Sequence, residues 1–130
     1  MTEEMKAILE RARKTLMVAK ITYREGFYNS SINRSYYCYF YCVQVFLAAE
    51  NLAAENVFVK THKGANVKFS ELYIKTKKVP ASWSGVLKSI EQLREEADYD
   101  FSEESTSEEA KIALRDASDF YRFTELYFGA

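Results

Sequence analysis

Five stretches of the chain repeat apolar residues at three- and four-residue intervals, the period of a helix with one buried face. In the first, Ile8, Leu9, Ala12, Leu16, Ala19 and Tyr23 recur while Lys6, Arg13 and Lys20 fall opposite, predicting a helix over 3–24 that Gly26 stops. The second opens at Asn29 or Ser30, either able to cap a first turn, and reads SINRSYYCYFYCVQVFLAAENL. Ile32, Tyr36, Tyr39, Phe40, Val43 and Leu47 form one stripe, and Cys38, Tyr41, Cys42, Val45 and Phe46 fill most of the remainder. A helix apolar nearly all round is central to a core, or shared between a core and a partner surface.

Past a loop expected over 53–63, a shorter helix carries Val67, Leu72 and Tyr73 and ends in the TKK run before Pro80. Pro80 suits a first turn, so a fourth helix is expected from there to Tyr99, with Trp83, Leu87, Ile90, Leu93 and Ala97 inward. Ser105 and Glu108 have capping-box spacing and predict a fifth helix to Phe128, facing inward through Ala110, Leu114, Ala117, Tyr121, Thr124 and Phe128. The expected fold is all-α, an antiparallel up-and-down bundle of about five helices in one domain over 1–130.

Composition sharpens this picture. Ten Tyr, nine Phe and one Trp supply the core, and four Gly with one Pro leave few breaks in 130 residues. The uncharged stretch from Ser35 to Ala49 is too short and too polar to span a bilayer, and the charged N-terminus lacks the run of a secretory signal, so the expectation is cytoplasmic with no membrane. Cys38 and Cys42, four apart on one helix, suit small core residues rather than a disulfide.

Net charge is −1, which argues against a general polyanion binder. Its distribution is uneven: six Lys meet the single Glu71 between Lys60 and Lys78, and nine acids meet only Arg94 between Glu91 and Glu109. The expectation is faces that complement each other within the fold or across a dimer, the alternative being a nucleic-acid patch.

Candidate chemistry is sparse. Phosphate-binding glycine loops, GxSxG, HExxH and paired CxxC motifs are missing, and with one His and two helical Cys no metal or cofactor is expected. His62, beside Lys63, is either a proton-transfer or ligand-reading group in a basic loop, or a residue fastening the third helix to the bundle. Glu95, Glu96 and Asp98 crowd the negative end of the fourth helix, where Arg94 lies one turn before Asp98 and can pair with it. Arg34, Tyr37 and Tyr41 share a face of the second helix, where the guanidinium can stack on rings or meet Asp98 or Glu95.

Taken together, SINRSYYCYFYCVQVFLAAENL, THKGANVKF, LREEADYDF and the aromatic SDFYRF resemble, in order and spacing, the HEPN domain family. The resemblance implies a helical bundle, commonly a homodimer, often paired in prokaryotes with a small nucleotidyltransferase in a toxin–antitoxin arrangement. Many such proteins are metal-independent ribonucleases whose signature is an Arg followed by a His near the end of the penultimate major helix. Arg94 matches that Arg, but after four intervening residues stands Tyr99, a phenol with an ordinary pKa of about 10 and a poor base at neutral pH.

The expectation is therefore a binding module without ribonuclease activity. It would act with a nucleotidyltransferase partner, nucleotide or RNA through Arg34, Tyr37, His62, Lys63, Arg94, Asp98 and Tyr99. The alternatives are a metal-independent ribonuclease using Arg94 with Tyr99 or His62, and a structural oligomerisation adaptor.

Overall fold

A computed structural model of the chain describes residues 1–52 and 61–129, and among these every regular element is a helix. Helix α1 spans Glu3–Arg24, α2 Tyr28–Ala49, α3 His62–Phe69, α4 Ser82–Tyr99 and α5 Ser107–Phe128. The expected all-α bundle is what forms. Most of the loop expected over 53–63 lies outside the described residues, but His62 and Lys63 open α3, whose N-cap Thr61 accepts a bond from the Gly64 amide at 2.9 Å.

Helices α1 and α2, each 22 residues long, form a hairpin across Glu25–Phe27, where Gly26 takes the left-handed φ of +82° that a side chain resists. Helix α2 touches all four other helices and is the axis of the bundle. Its Tyr36, Tyr39, Val43, Phe46 and Leu47 are almost wholly buried, and Cys38 and Cys42 are free thiols in the same core. Phe46 packs against Phe69, Tyr73, Phe120 and Phe128 with ring centroids 4.9–6.0 Å apart. Tyr39 stacks on Phe120 at 4.1 Å, and its hydroxyl donates to the Trp83 carbonyl at 3.2 Å. The Trp83 ring lies 4.9 Å from Phe120, closing the seam between α4 and α5.

Several local expectations are corrected. Neither Asn29 nor Ser30 caps α2, which begins at Tyr28 without a side-chain cap; Asn29 instead accepts a bond from the Ser105 amide at 2.9 Å, tying the α4–α5 connection to the start of α2. The capping box of α5 is formed by Thr106 and Glu109, one position later than Ser105 and Glu108, because Ser105 is engaged by Asn29. The most buried face of α5 runs through Ala110, Ala113, Ala117, Phe120 and Thr124, with Leu114, Tyr121 and Phe128 only partly covered.

Helix α3 passes into a π-helical turn, Ser70–Ile74; Ala65, Phe69 and Tyr73 are buried and Val67 is exposed. The Tyr73 hydroxyl lies 3.0 Å from the Phe46 carbonyl and 2.9 Å from the Glu50 carboxylate. Helix α4 starts at Ser82, two residues after Pro80.

Candidate functional site

Where α2 meets α3 and α4, the dry core gives way to polar groups. Residue Arg94 falls on the face of α4 that also carries Leu87, Ile90 and Ala97, so helical geometry drives a cation inward. It is 9% exposed. Its guanidinium carbon lies 4.7 Å from the centre of the Tyr36 ring, and one nitrogen faces an Asp98 oxygen at 3.7 Å, an ion pair longer than a hydrogen bond. The Arg94 Nε and the Tyr36 hydroxyl are both buried without a hydrogen-bond partner among the described residues. Burial works against the charge on Arg94, but the surrounding Tyr36 and Asp98 outweigh it and hold its pKa above the ordinary value.

The Asp98 carboxylate turns its other side to α2. Both its oxygens accept from Asn33 Nδ2 at 3.2 Å, and Asn33 Oδ1 in turn accepts from Arg34 Nε at 2.9 Å and from a terminal Arg34 nitrogen at 2.7 Å. The expected direct pairing of Arg34 with Asp98 or Glu95 is thus corrected: the amide of Asn33 stands between. Arg34 also covers the Tyr37 ring, 5.0 Å from its centroid.

The single histidine closes the circuit. The His62 ring lies among Tyr36, Tyr37 and Phe40, at centroid distances of 5.2, 5.5 and 4.5 Å. Its pKa is lowered, first by burial and then by the nearby charge of Arg94. Its position in the first turn of α3 also disfavours a proton. An imidazole that is neutral near pH 7 is therefore held beside a permanently charged guanidinium, and Tyr36 touches both.

Five expected site residues, Arg34, Tyr37, His62, Arg94 and Asp98, thus form one ring of contacts. Tyr99 is 68% exposed and stands at the edge of a depression of about 700 Å³ onto which Arg94, Glu95, Glu96 and Asp100 open. Lys63 is not drawn in: it lines a separate groove between α3 and α4 with Asn66, Ser84, Lys88 and Glu91. Two members escaped sequence reasoning. Asn33 resembled one more polar residue near a helix start, and Tyr36 one more core aromatic; the only signal was Asn33 and Arg34 adjoining on an otherwise apolar helix.

A helical bundle with a buried arginine near the end of its fourth helix and an aromatic second helix beneath it defines a class that comparison identifies. The HEPN domain matches residues 5–127, and the chain belongs to that family. It is 29% identical over 124 residues to the Methanocaldococcus jannaschii protein named "Putative toxin MJ0142", covering 95% of this chain and 81% of that one. It is 32% identical over 99 residues to UPF0332 protein glr0978 of Gloeobacter violaceus, covering 76% of this chain and 75% of the relative. A UPF0332 protein of Thermotoga maritima is 32% identical over 110 residues, covering 85% and 80%. Among the described residues no helix is long and apolar enough to cross a membrane, and no group of three or more His, Cys, Asp or Glu could hold a metal ion.

Proposed function

We propose that this HEPN protein is a binding module that holds a phosphate-bearing ligand, a nucleotide or RNA, at Arg94. In this reading it acts as a homodimer with a small nucleotidyltransferase partner and without cleaving RNA. The observation that carries the reading is the state of Arg94: a nearly buried guanidinium with an unpaired Nε and one long ion pair, opening onto a depression. Such a group has unused donors for a phosphate, which guanidinium binds through paired, charge-assisted hydrogen bonds. The nearby Glu95, Glu96 and Asp100 disfavour a long polyanion, so a nucleotide or a short RNA suits the depression better than an extended one. Titration calorimetry with a nucleoside monophosphate and a short single-stranded RNA tests this. Binding should weaken at least about tenfold in Arg94→Ala, and unchanged affinity would overturn the reading. Co-elution with a cognate nucleotidyltransferase on size exclusion tests the partner independently.

One observation favours a ribonuclease as the second reading. The imidazole missing from the position of Tyr99 has a counterpart in His62, whose ring packs on Tyr36, the ring that also carries Arg94, and whose pKa is lowered. A neutral imidazole next to a phosphate-binding guanidinium is suited to proton transfer. That reading, consonant with a relative named as a toxin, requires RNA cleavage in chelator that both Arg94→Ala and His62→Ala abolish. Cleavage surviving Arg94→Ala would sink it.

A further inference from the structure

Two guanidiniums, Arg34 on α2 and Arg94 on α4, are joined through a single carboxylate. Among the described residues Asp98 is the one acid within ion-pair distance of either, and it serves both incompletely. Toward Arg94 the separation is 3.7 Å, too long for a hydrogen bond. Toward Arg34 it acts only through Asn33, whose amide donates to Asp98 and whose carbonyl oxygen takes two Arg34 nitrogens. Asp98 lines a second depression, about 360 Å³, with Asn33, Arg34, Ser30 and Thr22, while Arg94, one turn earlier on the same helix, opens onto the first.

A carboxylate here is not explained by the local needs of the helix. It sits at the negative end of α4, where an acid is unfavourable, and follows Arg94 by four residues, the weaker order for such a pair. With a side chain 24% exposed it can swing outward to water without leaving a buried charge behind. Arg94 cannot: its side chain is 11% exposed and wedged on Tyr36. Of the two partners, the acid is the one free to yield.

We infer that Asp98 is an internal stand-in for the ligand's phosphate: a phosphate entering at Arg94 displaces the Asp98 carboxylate, releases Asn33 from it, and joins the two depressions so that Arg34 becomes a second contact. This rests on the phosphate-binding reading of Arg94 and adds a built-in competitor that sets its affinity. Asp98 balances the charge of Arg94 and orients Asn33 while the site is empty; its departure leaves the Arg94 charge to the phosphate and lets Asn33 turn with the Arg34 it holds. The ligand chemistry that fits is one compact phosphate group, mono- or diester, with two guanidinium contacts.

The test uses the full chain with inorganic phosphate as the probe, followed by calorimetry and by the arginine Nε–H signals in nitrogen-correlated NMR spectra. Asp98→Asn keeps the shape and the acceptor for Asn33 while removing the charge, and it should bind phosphate about fivefold or more tightly than the wild type. In the wild type, saturating phosphate should shift the Nε–H signal of Arg34 together with that of Arg94. Equal or weaker binding by Asp98→Asn overturns the stand-in role, as does a phosphate-induced shift confined to Arg94, a readout that needs no variant to fold. Should neither protein bind phosphate, with Arg94→Ala also leaving nucleotide affinity unchanged, the phosphate-binding reading itself falls. Should Arg94→Ala weaken nucleotide binding while Asp98→Asn strengthens nothing, only the stand-in falls.

Discussion

The two halves of α2 belong to one continuous helix and do opposite things. From Val43 to Ala48 the helix is buried all round, and Phe46 alone meets rings from the α3 segment and α5 on several sides. From Asn33 to Tyr41 it is far richer in aromatics, and some of these rings prop up charges: Tyr36 under Arg94, Tyr37 under Arg34, and both against His62. In the first half the Phe46 carbonyl is met by the Tyr73 hydroxyl at 3.0 Å. In the second, a guanidinium nitrogen and a phenol are left buried and unpaired. On the proposed reading, the difference separates a packed core from a binding site. Unmet hydrogen bonds are costly inside a protein, and a ligand able to meet them recovers that cost.

The contrast breaks most visibly at Phe46. Phe46→Ala should lower stability by about 3–5 kcal/mol in denaturant unfolding, because its several ring neighbours cannot all collapse into the space. In the other half, Asn33→Ala removes the link between Asp98 and Arg34 and should cost about 1 kcal/mol. A double-mutant cycle with Asp98→Asn should show that the two losses do not add.

Acidification gives a smaller effect with a defined sign. The folded-state pKa of His62 is lowered from its ordinary 6.5, so its contribution is fully present above that value and is lost as pH falls below it toward the folded pKa. The groups facing it are Tyr36, Tyr37 and Phe40 from α2 and Arg94 from α4. Melting temperature should therefore fall more steeply between pH 7.5 and 5.5, values chosen to bracket that transition, in the wild type than in His62→Phe. Parallel curves would place the imidazole outside the aromatic cage. The smallest change is expected from Tyr36→Phe, which deletes a buried hydroxyl without a partner and should leave stability within about 0.5 kcal/mol or raise it slightly. A larger loss would mean that the hydroxyl is bonded after all.

Much of this division was legible in the chain. The bounds of α1 follow from its apolar period and Gly26, and the girth of α2 announces a central helix. The face of α3 did not emerge, because the π turn at Ser70–Ile74 breaks the period by which Val67, Leu72 and Tyr73 had seemed to align. The cap of α5 slipped by one residue because Asn29, distant in sequence, takes the Ser105 amide. Arg34, Tyr37, His62, Arg94 and Asp98, members of the ring of contacts, could be singled out from their side-chain chemistry alone. Asn33 and Tyr36 were not, because their roles exist only once α2, α3 and α4 are brought together.

The placement of Trp83 gives the molecule an optical address. The chain has one indole among ten phenols, and it lies against Phe120 in the seam of α4 and α5, with its carbonyl holding the Tyr39 hydroxyl of α2. Its fluorescence therefore reports the docking of three helices, while the tyrosines clustered around His62 absorb and emit at shorter wavelengths. Energy passes from the tyrosines to Trp83 most efficiently while the bundle is assembled, so Trp83 emission excited through the tyrosines follows the docking of the helices with no added label.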